Sequence, residues 1–441
     1  MWSRVVMKWQ IGLLTVLMIL TGCNQDGNSS SDNVQPVEKR VEDLLAKMNL
    51  DEKIGQMTQV DRKFLKDTND IQKYFLGSLL SGGGSAPDVN APENWADMID
   101  GYQKIALGTR LAIPLIYGID AVHGNSNVYG AVIFPHNIGL GCTGNPALVE
   151  EAMRVTAEEV AGTGINWNFA PCVAVPRDER WGRTYEGFGE TPELVKQMGG
   201  FAVRGLQGTN LDNAGSILAC AKHFIGDGGT AGGVDQGDTQ LDQETLFNIH
   251  LQGYLSALEH NVGSIMISFS SWNGQKMHGH DYLINSVLRG QLGFDGLIVS
   301  DWAGIDQLPG DYKDDIRESI LAGIDMIMVP ENYESFITNL KALVDEGSIP
   351  MTRIDASVRR ILKVKFQLGL FENPYTDRSF TASIGSEAHR QVARKCVQQS
   401  QVLLKNEANT LPLAKTVKRI HVAGKNADDL GNQCGGWTIS W

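Results

Sequence analysis

The stretch GFDGLIVSDW, residues 293–302, decides how the rest of the chain is interpreted. Its apolar middle, GLIV, predicts a short buried strand, and Ser300, Asp301 and Trp302 follow where that strand should end. In a parallel barrel, catalytic groups gather at the carboxyl ends of the strands. If the neighbouring segments form such a barrel, Asp301 is a candidate catalytic carboxylate. Otherwise it is a polar residue that ends a strand.

Similar apolar runs recur along the chain and alternate with segments of helical periodicity. They predict strands over residues 77–80, 113–120, 165–170, 217–224, 264–270, 296–301 and 325–330. Helices are predicted over residues 37–48, 146–161, 192–206, 242–259 and 354–370, with a further one starting at residue 50. Strands that alternate with helices imply βαβ units and a parallel sheet. Six or seven such units over roughly 300 residues predict an α/β fold built on a TIM-type (β/α)8 barrel.

The N-terminal residues predict export to the bacterial cell envelope. Residues 1–22 join a basic start, Arg4 and Lys8, to an apolar run. The tetrapeptide LTGC at residues 20–23 resembles a lipobox, which implies a lipoprotein signal peptide and a lipid-modified Cys23. An ordinary secretory signal with an incidental cysteine is the alternative. Residues 23–36, rich in Ser, Asn, Asp and Gln, are expected to form a flexible tether.

The C-terminal residues predict the beginning of a second unit. The barrel region covers residues 37–373, and Pro374 then breaks the helical pattern, which predicts a linker over residues 374–386. Within residues 387–441, a helix to about residue 404 and a buried strand at 420–424 are predicted. These residues are too few for a complete α/β domain. Either the piece docks on the barrel, or the sequence is a fragment that holds only the start of that domain.

Charge and cysteine usage exclude several classes of partner and cofactor. The formal net charge is −13, which argues against nucleic acid or anionic lipid as a partner, since both require clustered Lys and Arg. Contact with a membrane is expected only through the lipid anchor. No CxxC pair occurs, so neither a zinc site nor a disulfide framework is predicted, although one disulfide remains possible. We therefore predict no metal and no cofactor.

Ionisable side chains stand at or near the predicted strand ends. Asp120 ends IPLIYGID, Lys222 and His223 lie at the end of ILACAKHF, and Arg183 follows another strand. Buried ionised groups must be paired, because burying them alone is very costly. A carboxylate beside an indole, as at Asp301, suits attack on an oxocarbenium-like sugar centre. A purely structural salt-bridge network and a Schiff-base role for the lysine are the alternatives.

Eight segments, in this order along the chain, resemble glycoside hydrolase family 3. They are YGIDAVHG, FPHNIGLG, the NFAPCVAV region through RWGR and YE, AKHFIGDGGT, SSWNG, GLIVSDWAGID, AGIDMIMVP and GLFENPY. The resemblance is to the β-glucosidase and exo-β-glucan glucohydrolase branch and spans about residues 37–441. It implies a barrel followed by an incomplete family 3 C-terminal α/β sandwich domain. It also implies a retaining hydrolase that removes glucose from the non-reducing end of β-glucans or β-glucosides.

The resemblance also assigns roles to single residues. Asp301 corresponds to the catalytic nucleophile. The residues that hold the hydroxyls of the terminal glucose correspond to Asp120, Arg183, Lys222 and His223. Two indoles that clamp the next sugar correspond to Trp302 and Trp441. The family's acid/base Glu lies in the second domain beyond Trp441, so no residue of this sequence is assigned to it.

This sequence departs from the family pattern at a few positions. Phe269 stands where many members carry Tyr, and Gln236 stands near a position that is often acidic. Two cysteines that flank RWGR in plant relatives are absent at Pro176 and Thr184. The alternatives are a catalytically impaired, sugar-binding lipoprotein fragment and the family's β-N-acetylhexosaminidase branch. The latter takes its acid/base from a loop after Lys-His that contains a His, and the loop here has none.

Overall fold

The computed structural model describes residues 35–441 of the chain. The predicted signal peptide, all but the last two residues of the tether and Cys23 lie outside the described residues. Val37–Trp441 forms one compact unit, which contains every element described below. Among residues 35–441, no helix is both long enough and apolar enough to cross a membrane.

Within residues 35–441, eleven strands form two sheets. In chain order they are β1 (Thr58–Asp61), β2 (Ser78–Ser81), β3 (Ile116–Ile119), β4 (Trp167–Asn168), β5 (Leu218–Phe224), β6 (Asp238–Thr239), β7 (Ser264–Ile267), β8 (Ser271–Trp272), β9 (Gln275–Lys276), β10 (Leu297–Val299) and β11 (Ile327–Met328). Eight of them pair in parallel in the order β10-β7-β5-β4-β3-β2-β1-β11. A parallel bridge between Val299 and Met326 brings the two end strands together and nearly closes the sheet. The predicted (β/α)8 barrel is confirmed.

Helices surround the barrel. They are α1 (Val37–Leu45), α2 (Leu50–Gln56), α3 (Asp70–Lys73), α4 (Pro92–Leu107), α5 (Asn137–Cys142), α6 (Pro146–Ala161), α7 (Pro192–Gln207), α8 (Gln243–His250), α9 (Gln252–Glu259), α10 (Tyr312–Ala322), α11 (Tyr333–Asp345), α12 (Met351–Gln367), α13 (Arg378–Thr381), α14 (Glu387–Gln399) and α15 (Leu430–Cys434). A π-helix covers Tyr282–Gln291. Helix α6 begins as its sequence predicts: Pro146 occupies the first position, and the Asn145 side chain accepts a hydrogen bond from the Leu148 amide.

The barrel end that lies away from the carboxyl ends of the strands is held by a buried lysine. Lys365 of α12 is fully buried and donates to Gln56 Oε1, Gly77 O and Pro114 O at 2.6 to 2.8 Å. An ammonium group has three donors, and all three are used here. The contact ties the last barrel helix to the segments that lead into β2 and β3, and so fixes the scaffold below the strand ends.

Strand β1 was absent from the predicted set. Its sequence, TQVD, is mostly polar, yet all four residues are buried. The Thr58 hydroxyl donates to Ile54 O, and Gln59 Nε2 donates to Ser78 Oγ at 2.7 Å. Buried polar groups that find partners can line a barrel interior. An apolar pattern therefore cannot identify such a strand, and the sheet has one strand more than the sequence indicates.

Three further predictions are corrected by the structure. The helix predicted over residues 242–259 is two helices, α8 and α9, which meet at Leu251. The helix predicted to reach residue 404 ends at Gln399. No strand forms over residues 420–424, where Ile420 and Val422 are 67% and 70% exposed. A lone strand leaves its backbone N–H and C=O groups unpaired, and the nearly closed barrel offers no free edge for it.

Candidate active site

A cavity of about 670 Å³ opens at the carboxyl ends of the barrel strands. All seven residues that the sequence analysis assigned to catalysis or sugar binding line this cavity: Asp120, Arg183, Lys222, His223, Asp301, Trp302 and Trp441. They come from segments up to 321 residues apart, from Asp120 to Trp441. The fold therefore brings the predicted set to one place, at the barrel end where active sites of this architecture lie.

Asp301 stands immediately beyond β10, after Ser300. Its backbone amide donates to His278 Nε2 at 3.0 Å, and its Oδ1 accepts the Trp302 amide at 2.7 Å. Its other oxygen, Oδ2, is buried without a hydrogen-bond partner. Burial raises the pKa of Asp301 to about 6, while the charge of Arg183 opposes that rise. One oxygen is thus fixed by the backbone, and the other has no hydrogen-bond partner within the described residues.

Lys222 and His223 lie at the end of β5. The pairing of β5 with β7 shifts register between Ala221 and Phe224, and both consecutive side chains line the cavity at this irregularity. Lys222 Nζ donates to Asp120 Oδ1 at 2.8 Å. The lysine is 1% exposed, and burial opposes its charge, but the charge of Asp120 raises its pKa above the usual value. The pair presents a fixed cation and a fixed acceptor to the cavity.

Arg183 is held by a carboxylate that the sequence analysis did not assign. Its Nε and Nη2 donate to Glu186 Oε1 and Oε2 at 2.7 and 2.9 Å, a two-pronged ion pair within one turn. The same Nη2 lies 3.0 Å from His223 Nε2. Burial opposes the charge on Glu186, but Arg183 lowers its pKa below the usual range. Arg183 therefore stays charged and oriented beside Asp301.

Two indoles and a glycine turn form the mouth of the cavity. Trp302 and Trp441 are 36% and 47% exposed. A Cβ added to Gly82 would lie 2.8 Å from the Trp302 ring, and one added to Gly83 would overlap the Trp441 indole. Both rings therefore rest directly on backbone that has no side chain. Exposed indoles of this kind offer flat apolar faces that suit the apolar side of a sugar ring.

The C-terminal segment completes one wall of the cavity. The Ile439 amide donates to Ser126 O at 2.8 Å, and Trp437 packs edge-on against Trp441 with ring centroids 5.0 Å apart. The Trp437 ring also lies 5.3 Å from Lys222 Nζ and 5.7 Å from the Arg183 guanidinium carbon. This segment therefore docks on the barrel and closes the cavity above its two cations.

The structure adds residues that the sequence analysis did not single out. Besides Glu186 and Trp437, Asp61 accepts from the Gly82 amide and Ser85 Oγ, and so shapes the glycine turn. Asp235 lines the cavity and accepts from the indole of Trp181 at 3.0 Å. Only short-range spacing hinted at these partners, for example the three-residue step from Arg183 to Glu186 within RWGRTYE.

Comparison with known proteins identifies the family. Residues 49–364 match the Glycosyl hydrolase family 3 N terminal domain, and residues 401–441 match the Glycosyl hydrolase family 3 C-terminal domain. The chain belongs to glycoside hydrolase family 3. The family 3 chain is 37% identical over 433 residues to the lysosomal beta glucosidase of Dictyostelium discoideum, covering 91% of this chain and 53% of that protein.

Two further relatives of this family 3 chain are a curated protein and a solved structure. The periplasmic beta-glucosidase of Salmonella typhimurium is 34% identical, covering 91% of this chain and 52% of that protein. The crystal structure of an exo-1,3/1,4-beta-glucanase from a Pseudoalteromonas species superposes with a TM-score of 0.87 at 43% identity, covering 92% of this chain and 52% of that one. The chain thus spans about half the length of the curated relatives it matches.

Proposed function

We propose that this family 3 protein is an exo-acting, retaining β-glucosidase that releases glucose from the non-reducing end of β-glucans or β-glucosides, with Asp301 as the nucleophile. The observation that carries the proposal is the state of the Asp301 carboxylate. Oδ1 is held by a backbone amide, and Oδ2 is buried without a partner in a cavity lined by cations. A buried acceptor without a donor is costly and calls for a functional explanation.

In the proposed first step, Asp301 Oδ2 attacks the anomeric carbon and forms a glycosyl ester while the bond to the leaving oxygen breaks. Water then attacks the same carbon from the opposite side, which releases glucose with retained configuration and restores the carboxylate. Asp120 would accept hydrogen bonds from the glucose hydroxyls, and Lys222, which neutralises Asp120, would donate to them. Arg183 and His223 would contact the same glucose ring. Bonds that strengthen as the ring flattens would lower the barrier of both steps.

The leaving oxygen needs a proton, and the hydrolytic water needs a base. In a retaining enzyme the second carboxyl lies about 5 Å from the nucleophile. Asp61, Asp120 and Glu186 are each bound to a backbone or cationic partner. We propose, from the family resemblance, that a Glu of the family's C-terminal domain supplies this group, to which none of residues 1–441 is assigned.

The relatives support the substrate class and the location. The solved relative is named for 1,3- and 1,4-linked β-glucans, and one curated relative is named as periplasmic. We propose β-linked oligosaccharides of glucose as substrates, with Trp302 and Trp441 clamping the second sugar.

We also propose export through residues 1–22, lipid attachment at Cys23 and a tether over residues 23–36. The remaining chain is proposed to divide into a barrel (37–373), a linker (374–386) and the start of a second domain (387–441). The proposed linker contains the short helix α13, so a truncation designed at this domain boundary should not cut within it.

A chromogenic glucoside tests the nucleophile without requiring the acid. A dinitrophenyl β-glucoside has a leaving group that departs unprotonated, so the chain should release one equivalent of dinitrophenol in a fast first phase. The D301N variant should show no such phase, while D306N, a matched change at an exposed aspartate five residues later, should keep it. Binding of laminaribiose with no release would favour a sugar-binding lipoprotein. Release from the N-acetylglucosaminide in preference to the glucoside would favour the hexosaminidase branch.

A further inference from the structure

Both ring nitrogens of His223 are engaged, and their partners differ in kind. Nε2 lies 3.0 Å from Arg183 Nη2, and Nδ1 lies 2.8 Å from Asp227 Oδ2. A guanidinium group can only donate hydrogen bonds. Nε2 must therefore accept with its lone pair, which leaves the ring proton on Nδ1. The ionised Asp227 carboxylate accepts a hydrogen bond from that proton, and because burial raises the pKa of Asp227 to about 7, this state is the dominant one above that pH. Burial, aided by the charges of Arg183 and Lys222, holds the pKa of His223 well below its usual value and keeps the ring neutral.

This choice of tautomer matters because His223 faces the proposed nucleophile. Nε2 lies 3.6 Å from Asp301 Oδ2. With its proton on Nδ1, the ring offers no donor to that oxygen, and Oδ2 keeps its lone pairs for attack. With the proton on Nε2, the same nitrogen would oppose the N–H of Arg183 and would point a donor at Asp301. That arrangement would release Arg183 from the ring and would weaken the nucleophile.

Asp227 is itself fixed, and it stands outside the cavity. It lies in the one-turn 3-10 helix Asp227–Gly229, and its Oδ1 accepts the Gly228 amide at 3.0 Å. It is 8% exposed and is not among the residues that line the cavity. We propose that Asp227 is a positioning residue: it holds His223 in the Nδ1–H tautomer, so that Nε2 accepts from Arg183 and leaves Asp301 Oδ2 without a donor. This inference rests on the proposed role of Asp301.

A metal ion would be a different use of the same groups. Cys172, His223 and Asp227 bring three possible ligand atoms within 4.8 Å of one another. The 2.8 Å contact between imidazole and carboxylate, however, is the length of a hydrogen bond with its proton in place. Burial also raises the pKa of the Cys172 thiol, which disfavours the thiolate that a metal would need. The geometry therefore favours a proton between His223 and Asp227.

Nitrogen NMR of the chain labelled with ¹⁵N-histidine tests the tautomer directly. The sequence has nine histidines, and the His223 signals are assigned as those lost in H223Q. At pH 8, where the Asp227 carboxylate is ionised, we expect a protonated, pyrrole-type shift at Nδ1 and an unprotonated, pyridine-type shift at Nε2, unchanged by EDTA. The reverse pattern would overturn the proposal. A pattern that changes on treatment with EDTA would also overturn it, in favour of a metal.

The near-isosteric D227N variant links the tautomer to function. If the Asn oxygen keeps the Gly228 bond, its amide faces Nδ1 and drives the ring proton to Nε2. We expect the NMR pattern to reverse and the first-phase release of dinitrophenol to slow about 10- to 100-fold, the loss typical of a hydrogen bond to a charged group. D315N, which changes another buried aspartate outside the cavity, should alter neither readout.

The outcomes separate the two proposals. A slower first phase in D227N with an unchanged tautomer would overturn the positioning role, because a merely structural defect would then explain the loss. An unchanged rate with a reversed tautomer would overturn it as well. If the wild-type chain shows no first phase at all, the proposed role of Asp301 fails, while the tautomer measurement still stands. The tautomer of the wild-type chain is assigned with H223Q alone, so a D227N chain that does not fold leaves that measurement intact, and the reverse pattern would still overturn the proposal.

Discussion

Lys222 Nζ and Asp120 Oδ1 lie 2.8 Å apart, and this ion pair joins the ends of β5 and β3 across the intervening β4. The lysine side chain is 2% exposed and the aspartate side chain 18%. The pair therefore links the stability of the barrel rim to the groups that are proposed to bind glucose. A change at either residue should affect both properties, and the two can be measured separately.

The K222M variant is expected to lower the free energy of unfolding by about 2 to 3 kcal/mol. Removing one partner of a buried pair leaves the other charge uncompensated, and the partial exposure of Asp120 reduces that cost. Urea denaturation measures the change. K405M, which breaks the exposed pair Lys405–Glu407, should leave the denaturation midpoint where it is in the wild type. Equal shifts in the two variants would contradict the structural role of the Lys222–Asp120 pair.

The D301N variant should be more stable than the wild type at neutral pH. Burial raises the pKa of Asp301 from 3.8 to about 6, so the folded state binds the proton more tightly than the unfolded state. The stabilisation of the fold by this tighter proton binding is complete below about pH 4 and is lost as the pH rises through about 6. Above that pH the ionised carboxylate costs up to about 3 kcal/mol, which the amide avoids.

Thermal unfolding between pH 4 and pH 8 checks this prediction. The Tm of D301N should exceed that of the wild type at pH 8, and the difference should shrink toward pH 4. D97N changes an exposed aspartate and should track the wild type throughout. A D301N variant that is less stable than the wild type at pH 8 would contradict the claim that burial disfavours the ionised Asp301 carboxylate.

The same pKa predicts the acid limb of the reaction. Asp301 must be ionised to attack, so the first-phase rate on a dinitrophenyl glucoside should fall tenfold per pH unit below about pH 6. Stopped-flow release of dinitrophenol across pH 4 to 8 gives the profile. A rate that stays level down to pH 4 would show that the carboxylate titrates near its ordinary value.

The G83A variant should weaken the site for the second sugar and leave the site for the first intact. A Cβ at this position overlaps the Trp441 indole, which must then move away from the turn. We expect the dissociation constant of laminaribiose to rise about tenfold, while that of glucose is unchanged. G101A, where an added Cβ meets no atom within 4 Å, is the matched control. Equal affinity of G83A and wild type for the disaccharide would remove Trp441 from that site.

Sequence pattern alone indicates which residues gather in the candidate site, but not the groups that surround them, for physical reasons. Asp120, Lys222 and Asp301 stand at or near the carboxyl ends of apolar strands, so pattern alone locates them at one barrel end. Strand β1 escaped notice because Thr58 and Gln59 bury polar side chains that find partners only after folding. Apolar periodicity does not predict such hydrogen-bond partners.

The supporting residues were missed for a different reason. Asp227 and Glu186 act through other side chains, and only the folded turns bring them within hydrogen-bond distance of His223 and Arg183. Trp437 belongs to the same CGGWTISW segment as Trp441, but its place above Lys222 depends on how that segment docks on the barrel. The prediction of a strand over residues 420–424 was wrong because an apolar run alone does not show whether a neighbouring strand is there to pair with it.

Covalent trapping tests the central claim most directly. A 2-fluoroglucoside with a dinitrophenyl leaving group forms the glycosyl ester but hydrolyses it slowly, because the fluorine destabilises the second transition state. Peptide mass spectrometry of the trapped chain should find one fluoroglucosyl group on Asp301 and none in D301N. A stable adduct on another residue, or full substrate turnover with no adduct on Asp301, would contradict the account.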